Sequence, residues 1–414
     1  MKTNQQRFDR SDIRQLNTLS VLNQLRKKGP LSRAQVAAEL GLTRATVSKI
    51  ALDLLEASFL EEADFTEGGA GRPGLLLSLN AAYGCMVAVE IDLDRVSIAV
   101  ADFSRTVFWR EERSLEAGAS AAASLECIDG LIDAALAAGS ARQLGCLGIG
   151  VAWAGLVAHE KGRLVYGPSS GWKDIGLKAL WEDRFGVPVY VENEANAAAI
   201  ACQHLDNRPQ DADLIYLSLG SGLAAGIISK GRLMRGRMGF AGQVGHVPFS
   251  NNGITCSCGR KGCWVTEIGS AAVLRKLAKQ GMTHPNEASY QNDSLGYVLE
   301  KAQSEEVAVR RVLIEVGQHL ALGAVQLVHA LNPATLVIGG RLGQLLKLVE
   351  VEIRESLNAV ALPGMLDDFV LRISDTGVDP LLGCLAIVHD AVLSDPFNLI
   401  VESSKPTRLH EYAI

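Results

Sequence analysis

The sequence lacks any apolar run long enough to span a bilayer. Its longest, residues 144–158, falls short of the ~18 residues required and contains four glycines, so it reads as a buried strand followed by a turn. The first residues, MKTNQQRFDRSDIRQ, are polar and have no apolar centre of a secretory leader, which predicts a cytoplasmic protein with no membrane partner. The eight cysteines are not spread as a disulfide framework, since three of them crowd into residues 256–263. A reduced chain with one metal-like cluster fits that distribution better. There is also no overall excess of positive charge: 40 Lys and Arg stand against 46 Asp and Glu, a net charge of −6. Taken whole, that balance argues against nucleic acid as a partner.

What is present is less uniform. At 48% hydrophobic and 21% charged, the chain is too apolar for disorder, and its 414 residues predict two or three domains. Residues 1–50 hold ten basic side chains and only three acidic ones, Asp9, Asp12 and Glu39, while the remainder is acidic. A basic head joined to an acidic body predicts two parts with different purposes.

The head has a readable pattern. Leu16, Leu19, Leu22 and Leu25 recur every third residue after Ile13, one apolar face of a helix that Gly29-Pro30 ends. Ser32 is placed to cap a second helix over 33–40, Gly41 breaks it, and Thr43 caps a third helix running to about Ala57. Ala37, Gly41, Val47 and Ile50 stand in helix-turn-helix register. The polar residues of the third helix, Thr43, Arg44, Thr46, Ser48 and Lys49, cluster in its first two turns, where a recognition helix meets double-stranded DNA. The plainer alternative is a helical hairpin with a solvated face. Two short strands, over 59–62 and 75–79, flank a loop containing Gly71-Arg72-Pro73, as in a winged helix-turn-helix. Arg72 on so thin a backbone can lie along a minor groove, or it is simply a solvated wing residue.

From residue 84 onward, apolar strands ending in Gly-rich or polar turns alternate with helical stretches such as 119–138 and 306–330. This predicts an α/β body with two lobes and a cleft. The body resembles the ROK family of repressors, open reading frames and sugar kinases, over nearly the whole chain. The winged head makes it similar to the transcriptional-repressor branch, which includes xylose- and N-acetylglucosamine-responsive repressors. The resemblance implies a two-lobed, actin-like ATPase fold with a sugar between the lobes. The division expected is a winged helix-turn-helix over 1–82, a sensor body over 83–395 with its lobe boundary near 205, and a tail over 396–414.

Gly245-His246 followed by Cys256, Cys258 and Cys263 forms the strongest motif. Three thiolates and an imidazole suit tetrahedral Zn2+, and four protein donors leave no open position, so the metal expected is structural. The alternative is three buried cysteines and a core histidine.

Against the family's kinases, several positions differ. Asp92, within Glu90-Ile91-Asp92-Leu93-Asp94, replaces a phosphate-admitting glycine, and a carboxylate there repels phosphate. Asn193-Glu194 replaces the Asn-Asp pair that supplies the catalytic base. Gln243, Ser169 and Val265 stand where the resemblance implies Glu, Asn and Glu. Gly220-Ser221-Gly222 keeps the second phosphate turn. The expectation is a non-enzymatic regulator whose sugar-like effector meets Ser169, Asn193, Glu194, Gln243 and His246, with Trp153 as a possible stacking face. A dimer or tetramer on a pseudo-palindromic operator follows from the head. Its interface would use apolar faces within 310–330 and 381–392, for which core packing is the simpler explanation. The competing readings are a sugar kinase with a fused head and a constitutive DNA-binding protein without effector.

Overall fold

The computed structural model describes residues 10–63, 75–116, 119–168, 170–206, 209–282, 294–303, 306–374 and 378–394. The head opens with helix α1 (Arg10–Lys28), the two-residue strand β1 (Leu31–Ser32), α2 (Arg33–Leu40) and α3 (Arg44–Glu56). Ser32 closes a capping box with Gln35: its hydroxyl accepts the Gln35 amide at 3.3 Å, and the Gln35 side chain accepts the Ser32 amide at 2.9 Å. Gly41, at φ +64°, takes the left-handed position that ends α2, and Thr43 then accepts the Thr46 amide at 3.1 Å to start α3. Strands β2 (Leu60–Ala63) and β3 (Leu76–Leu79) pair antiparallel, and β1 adds to β3 with Leu31 opposite Leu77. Strand β1 has no counterpart in the sequence pattern, because two residues carry no periodicity. The apolar face of α1 is also shorter than its leucine spacing implies. Val21, Leu22 and Leu25 are buried, while Ile13 and Leu16 are each half exposed. Arg72 and the tail over 396–414 lie outside the described residues.

The body contains two five-stranded sheets of one design. In the first lobe, β4 (Cys85–Ile91), β5 (Arg95–Asp102) and β6 (Val107–Ser114) form an antiparallel meander. Helix α4 (Ala121–Ala141) follows, then β7 (Cys146–Trp153), a small sheet of β8 (Leu156–Ala158), β9 (Arg163–Tyr166) and β10 (Lys173–Ile175), α5 (Leu177–Phe185) and β11 (Val189–Asn193). The order is β11-β7-β4-β5-β6, with β7 and β11 parallel to β4. Helix α6 (Glu194–Asp206) leads into the second lobe, where β12 (Leu214–Leu219), β13 (Leu223–Ser229) and β14 (Arg232–Leu233) again form a meander. Helices α7 (Val265–Ile268), α8 (Ser270–Lys279), α9 (Ser294–Gln303) and α10 (Val307–Leu331) precede β15 (Thr335–Gly339). Then come α11 (Gly343–Lys347), α12 (Glu350–Val360), β16 (Val370–Ile373) and α13 (Pro380–Ser394). The second order, β14-β13-β12-β15-β16, repeats the first strand for strand.

The chain crosses between lobes twice, through α6 near the boundary expected at 205 and again into α13. Alternation along β4 explains how both faces are covered. Cys85, Val87, Val89 and Ile91 face the core under α4, whereas the smaller Ala88, with Ala99, Ala101 and Ala152, faces α13. Those small residues let the helix lie close: a Cβ at Gly150 would strike the Cys384 backbone. In the second lobe, Ile215, Leu217 and Leu219 face α10 and α12, and Leu214 and Tyr216 face Ala198, Ala199 and Cys202 of α6.

Helix α10 is long and apolar enough by composition to cross a membrane, although Arg310, Arg311 and Glu315 keep it from forming one continuous apolar run. Its apolar side is nevertheless spent on the second lobe, with Val309, Val312, Val316 and Leu320 fully packed. The faces offered as an interface, within 310–330 and 381–392, are therefore mostly core.

The head is not loosely tethered. Its core residues Leu22, Val36, Ile50 and Leu54 form one cluster with Met86 of β4, Phe103 in the turn after β5 and Leu385 of α13. Phe59 stacks on Tyr83 at 4.3 Å and meets Phe103 edge-on at 5.9 Å. Because Phe59 is completely buried at this seam, Phe59→Ala is expected to cost roughly 3–5 kcal/mol of local stability. Limited proteolysis would then clip the head well before the body, and a head as resistant as the wild type would contradict the shared core.

Candidate functional site

The turns of both sheets face a cavity of about 570 Å³ between the lobes. The first lobe lines it with Glu90, Asp92, Arg95, Trp153, Asn193 and Glu194, and the second with Ser218, Gly220–Gly222, Gln243, His246 and Arg341. Asn193 ends β11 and starts α6. Its side-chain amide donates to the Gly155 carbonyl at 2.9 Å, and its oxygen accepts the Ala195 amide at 3.0 Å. Glu194 is the first residue of α6, and its carboxyl accepts the Ser218 hydroxyl at 2.6 Å, which ties the two lobes together. Trp153 is almost fully buried with its ring edge-on to Trp172 at 5.9 Å, so most of its ring is core. Ser169 lies outside the described residues; its neighbour Ser170 lines the cavity.

The cavity is rich in carboxyls. Burial pushes Glu90 up to about 8, against the pull of Arg95, and pushes Glu194 up to about 7. Arg95 lies 4.0 Å from Glu90 and from Asp92, and 3.4 Å from Glu112.

Ion pairs that the sequence does not reveal join elements across the cleft. Asp94, on the β4–β5 turn, receives Arg341 from beyond β15 through both carboxyl oxygens, at 3.1 and 2.9 Å. Arg110 of β6 binds Asp379, which precedes α13, at 2.6 Å. Arg341 directly follows Gly339-Gly340, so the motif was visible but its partner, 247 residues earlier, was not. The fully buried Glu192 was missed as well. It accepts the Asn196 side chain at 2.9 Å and Arg235 at 2.8 Å, fixing the start of α6 to the loop after β14.

Beside the cavity, the donor atoms of His246, Cys256, Cys258 and Cys263 all lie within 4.8 Å of one another. The Cys258 and Cys263 sulfurs are 3.6 Å apart, and Cys256 Sγ is 3.6 Å from His246 Nδ1. Those separations exceed a disulfide bond and match the edge of a tetrahedron, about 3.8 Å for Zn–S bonds of about 2.3 Å. The donor set therefore fits Zn2+. Gly262, at φ +70°, turns the loop against Ser250, where a side chain has no room.

In the head, Thr43, Arg44 and Lys49 are exposed on α3, and Thr46 and Ser48 are half-buried. The Thr46 hydroxyl is already engaged with Thr43 at 2.8 Å, so part of the expected DNA-facing set serves the helix cap. Arg44 and Lys49 form no ion pair among the described residues.

A model of the ROK family matches residues 86–391. The chain belongs to the ROK family. It is 29% identical over 393 residues to the xylose repressor of Caldicellulosiruptor bescii, covering 93% of this chain and 98% of that protein. It is 27% identical over 389 residues to the DNA-binding transcriptional dual regulator NagC of Escherichia coli K12, covering 92% of this chain and 94% of that one. Among solved structures, a ROK family transcriptional regulator, a homologue of the E. coli MLC protein, superposes with a TM-score of 0.75 at 23% identity. That match covers 94% of this chain and 99% of the other. A ROK glucokinase from Streptomyces griseus in complex with glucose and AMPPNP reaches 0.63 at 24% identity, over 73% of this chain and 99% of that one. The body thus has the two-lobed, actin-like ATPase fold, and the repressor-type match extends over the head as well.

Within this ROK cleft the raised carboxyls have a measurable consequence. Below about pH 4.5, the ordinary value for Glu, Glu90 is protonated in folded and unfolded chains alike. Between there and about 8, only the unfolded chain gives up the proton, so the stability associated with Glu90 falls as pH rises through this window. Glu90→Gln should therefore raise the thermal midpoint by several degrees at pH 8 and by little at pH 5. Equal gains at both values would show that burial does not govern this carboxyl.

Proposed function

We propose that the chain is a sequence-specific DNA-binding transcriptional regulator, a repressor controlled by a sugar-like metabolite held between the lobes of a non-catalytic ROK body. The observation that carries the reading is a helix-turn-helix-like head joined through one core to a cleft whose β4–β5 turn carries two carboxylates. Asp92 and Asp94 bring negative charge to the β4–β5 turn, and Arg341 is already committed to Asp94. A nucleotide's phosphates would have to break that pair and meet Asp92. Support also comes from relatives named as a xylose repressor and as a DNA-binding transcriptional dual regulator, matched over 98% and 94% of their lengths.

The division into a head over 1–82 and a sensor body over 83–395 is part of this proposal. In the head, Arg44 and Lys49 are the exposed cations of α3, with Thr43, Ser48 and Arg72 as further DNA contacts. Two heads of a homodimer or homotetramer would meet a pseudo-palindromic operator. In the cleft, Asn193, Glu194 and Gln243 offer donors and acceptors to ligand hydroxyls, and His246 joins them from the cysteine cluster. His246, Cys256, Cys258 and Cys263 would hold a structural Zn2+, cross-linking the Gly245-His246 turn to the Cys256–Cys263 loop.

A sugar kinase is the second reading, and Glu194 is what favours it. A carboxyl near 7 at the head of α6 has the basicity of a general base, and Gly220–Gly222 keeps one phosphate turn. Coupled measurement of ADP release over a sugar panel separates the two, and sustained turnover would overturn the regulator.

For DNA binding, a sequence selected from random duplexes by the full chain is the probe. Arg44→Ala should weaken binding to it roughly 10-fold or more by fluorescence anisotropy, with body stability unchanged. Failure to select any sequence sinks the reading. For the metal, elemental analysis should find about one zinc per chain, and Cys258→Ser should lose it and lower the thermal midpoint by several degrees. A metal-free wild type of equal stability would remove zinc from the proposal.

A further inference from the structure

Helices α6 and α13 occupy equivalent places in the two repeated sheets, yet each packs on the other lobe. Helix α6 leaves the first sheet and covers the second through Ala198, Ala199 and Cys202. Helix α13 leaves the second sheet and covers the first through Leu381, Cys384, Leu385 and Val388. They run parallel, since both begin at the cleft and their contacts advance together. Gly383 touches the Ala197 backbone so closely that a Cβ there would collide with it. Seven residues further along both helices, His204 Nε2 lies 3.6 Å from the Asp390 carboxyl. The other oxygen of Asp390 is taken by Arg26, from the last turn of α1 in the head.

We infer that Asp390 is the junction through which the relative position of the lobes reaches the head. It sits on the helix bound to the first lobe, and it touches both the helix bound to the second lobe and the DNA-type head. Any rotation of the lobes must move α6 against α13. The backbone contact at Gly383 leaves no slack there, so it acts as the pivot. Two turns away, about 10.5 Å along the helices, a rotation of about 10° displaces the far ends by about 2 Å, the scale of helix shifts in known switching proteins. That displacement falls on Asp390.

The surroundings of the junction suit a contact that rearranges. Arg105 of the first lobe donates to the Arg26 carbonyl at 3.0 Å. Arg26 Nε is buried without a hydrogen-bond partner among the described residues. Burial, with Arg26, Arg105 and Lys27 nearby, holds His204 down at about 3, so it is neutral and Asp390 answers to the arginines. His389 is fully buried against Phe103 at 4.9 Å, which fixes the α13 backbone beside Asp390. At the cleft end of α13, Asp379 accepts the Leu381 amide at 3.0 Å while bound to Arg110, so the same helix begins at the ligand cavity.

The purpose of this device rests on the DNA-binding reading above, but its mechanics do not, and they can be tested without DNA or ligand. Arg341→Ala releases the Asp94 pair that spans the lobes. In the full chain, hydrogen exchange at the last turn of α1 and over residues 385–394 should then change by about fivefold or more, the low end of ordinary coupling between sites. Exchange in α4, on the far face of the first sheet, should stay as it was. In an Asp390→Asn background the same Arg341→Ala change should move α1 by less than about twofold. Should Asp390→Asn fail to fold, Arg26→Gln severs the junction from the head side. No response in α1, an equal response with the junction cut, or a response shared by α4 would each overturn the assignment. A failed DNA selection, by contrast, would sink the regulator and leave this exchange pattern standing.

Discussion

The close contact between α6 and α13 is the constraint on which the rest of the molecule depends. Each sheet is closed by the helix that grows out of the other, so neither lobe has a complete core without its partner. The contact is possible because the two helices meet over Gly383 and a run of alanines, where backbone approaches backbone. From it follow the parallel course of both helices, the placing of Asn193 and Asp379 at one cleft, and the convergence of their far ends on the head.

The cleft is made of groups that oppose one another. Glu90 and Glu194 are held above their ordinary values by burial, while Asp94 and Asp379 are matched by arginines that reach across from other elements. These charges are paired between elements and not left open to the cavity. The cysteine cluster adds a fixed wall, because His246 belongs to both the cluster and the cavity. Exposed α3 and this chamber are separate surfaces, and one continuous apolar core runs between them.

Much of the site was readable in advance. The helix caps at Ser32 and Thr43, the break at Gly41, the Cys₃His set and the acidic phosphate turn are all local patterns, and local patterns survive in a sequence because neighbouring residues make them. Asn193, Glu194, Gln243 and His246 do come together around one cavity. Other expectations changed: Thr46 spends its hydroxyl on a cap, Trp153 is mostly core, and Ile13 and Leu16 project from α1 where their spacing implied burial.

The sequence by itself determined the kinds of element, their ends and the chemistry of the donor groups, since propensity, capping and ligand spacing act over a few residues. The basic head and acidic body belonged to it too. Only the tertiary structure decided who meets whom: Asp94 with Arg341, Arg110 with Asp379, Arg26 with Asp390. Each pair is joined by more than 200 residues of intervening chain. Such pairings depend on how two sheets of the same design exchange their closing helices, and no periodicity along the chain records that exchange.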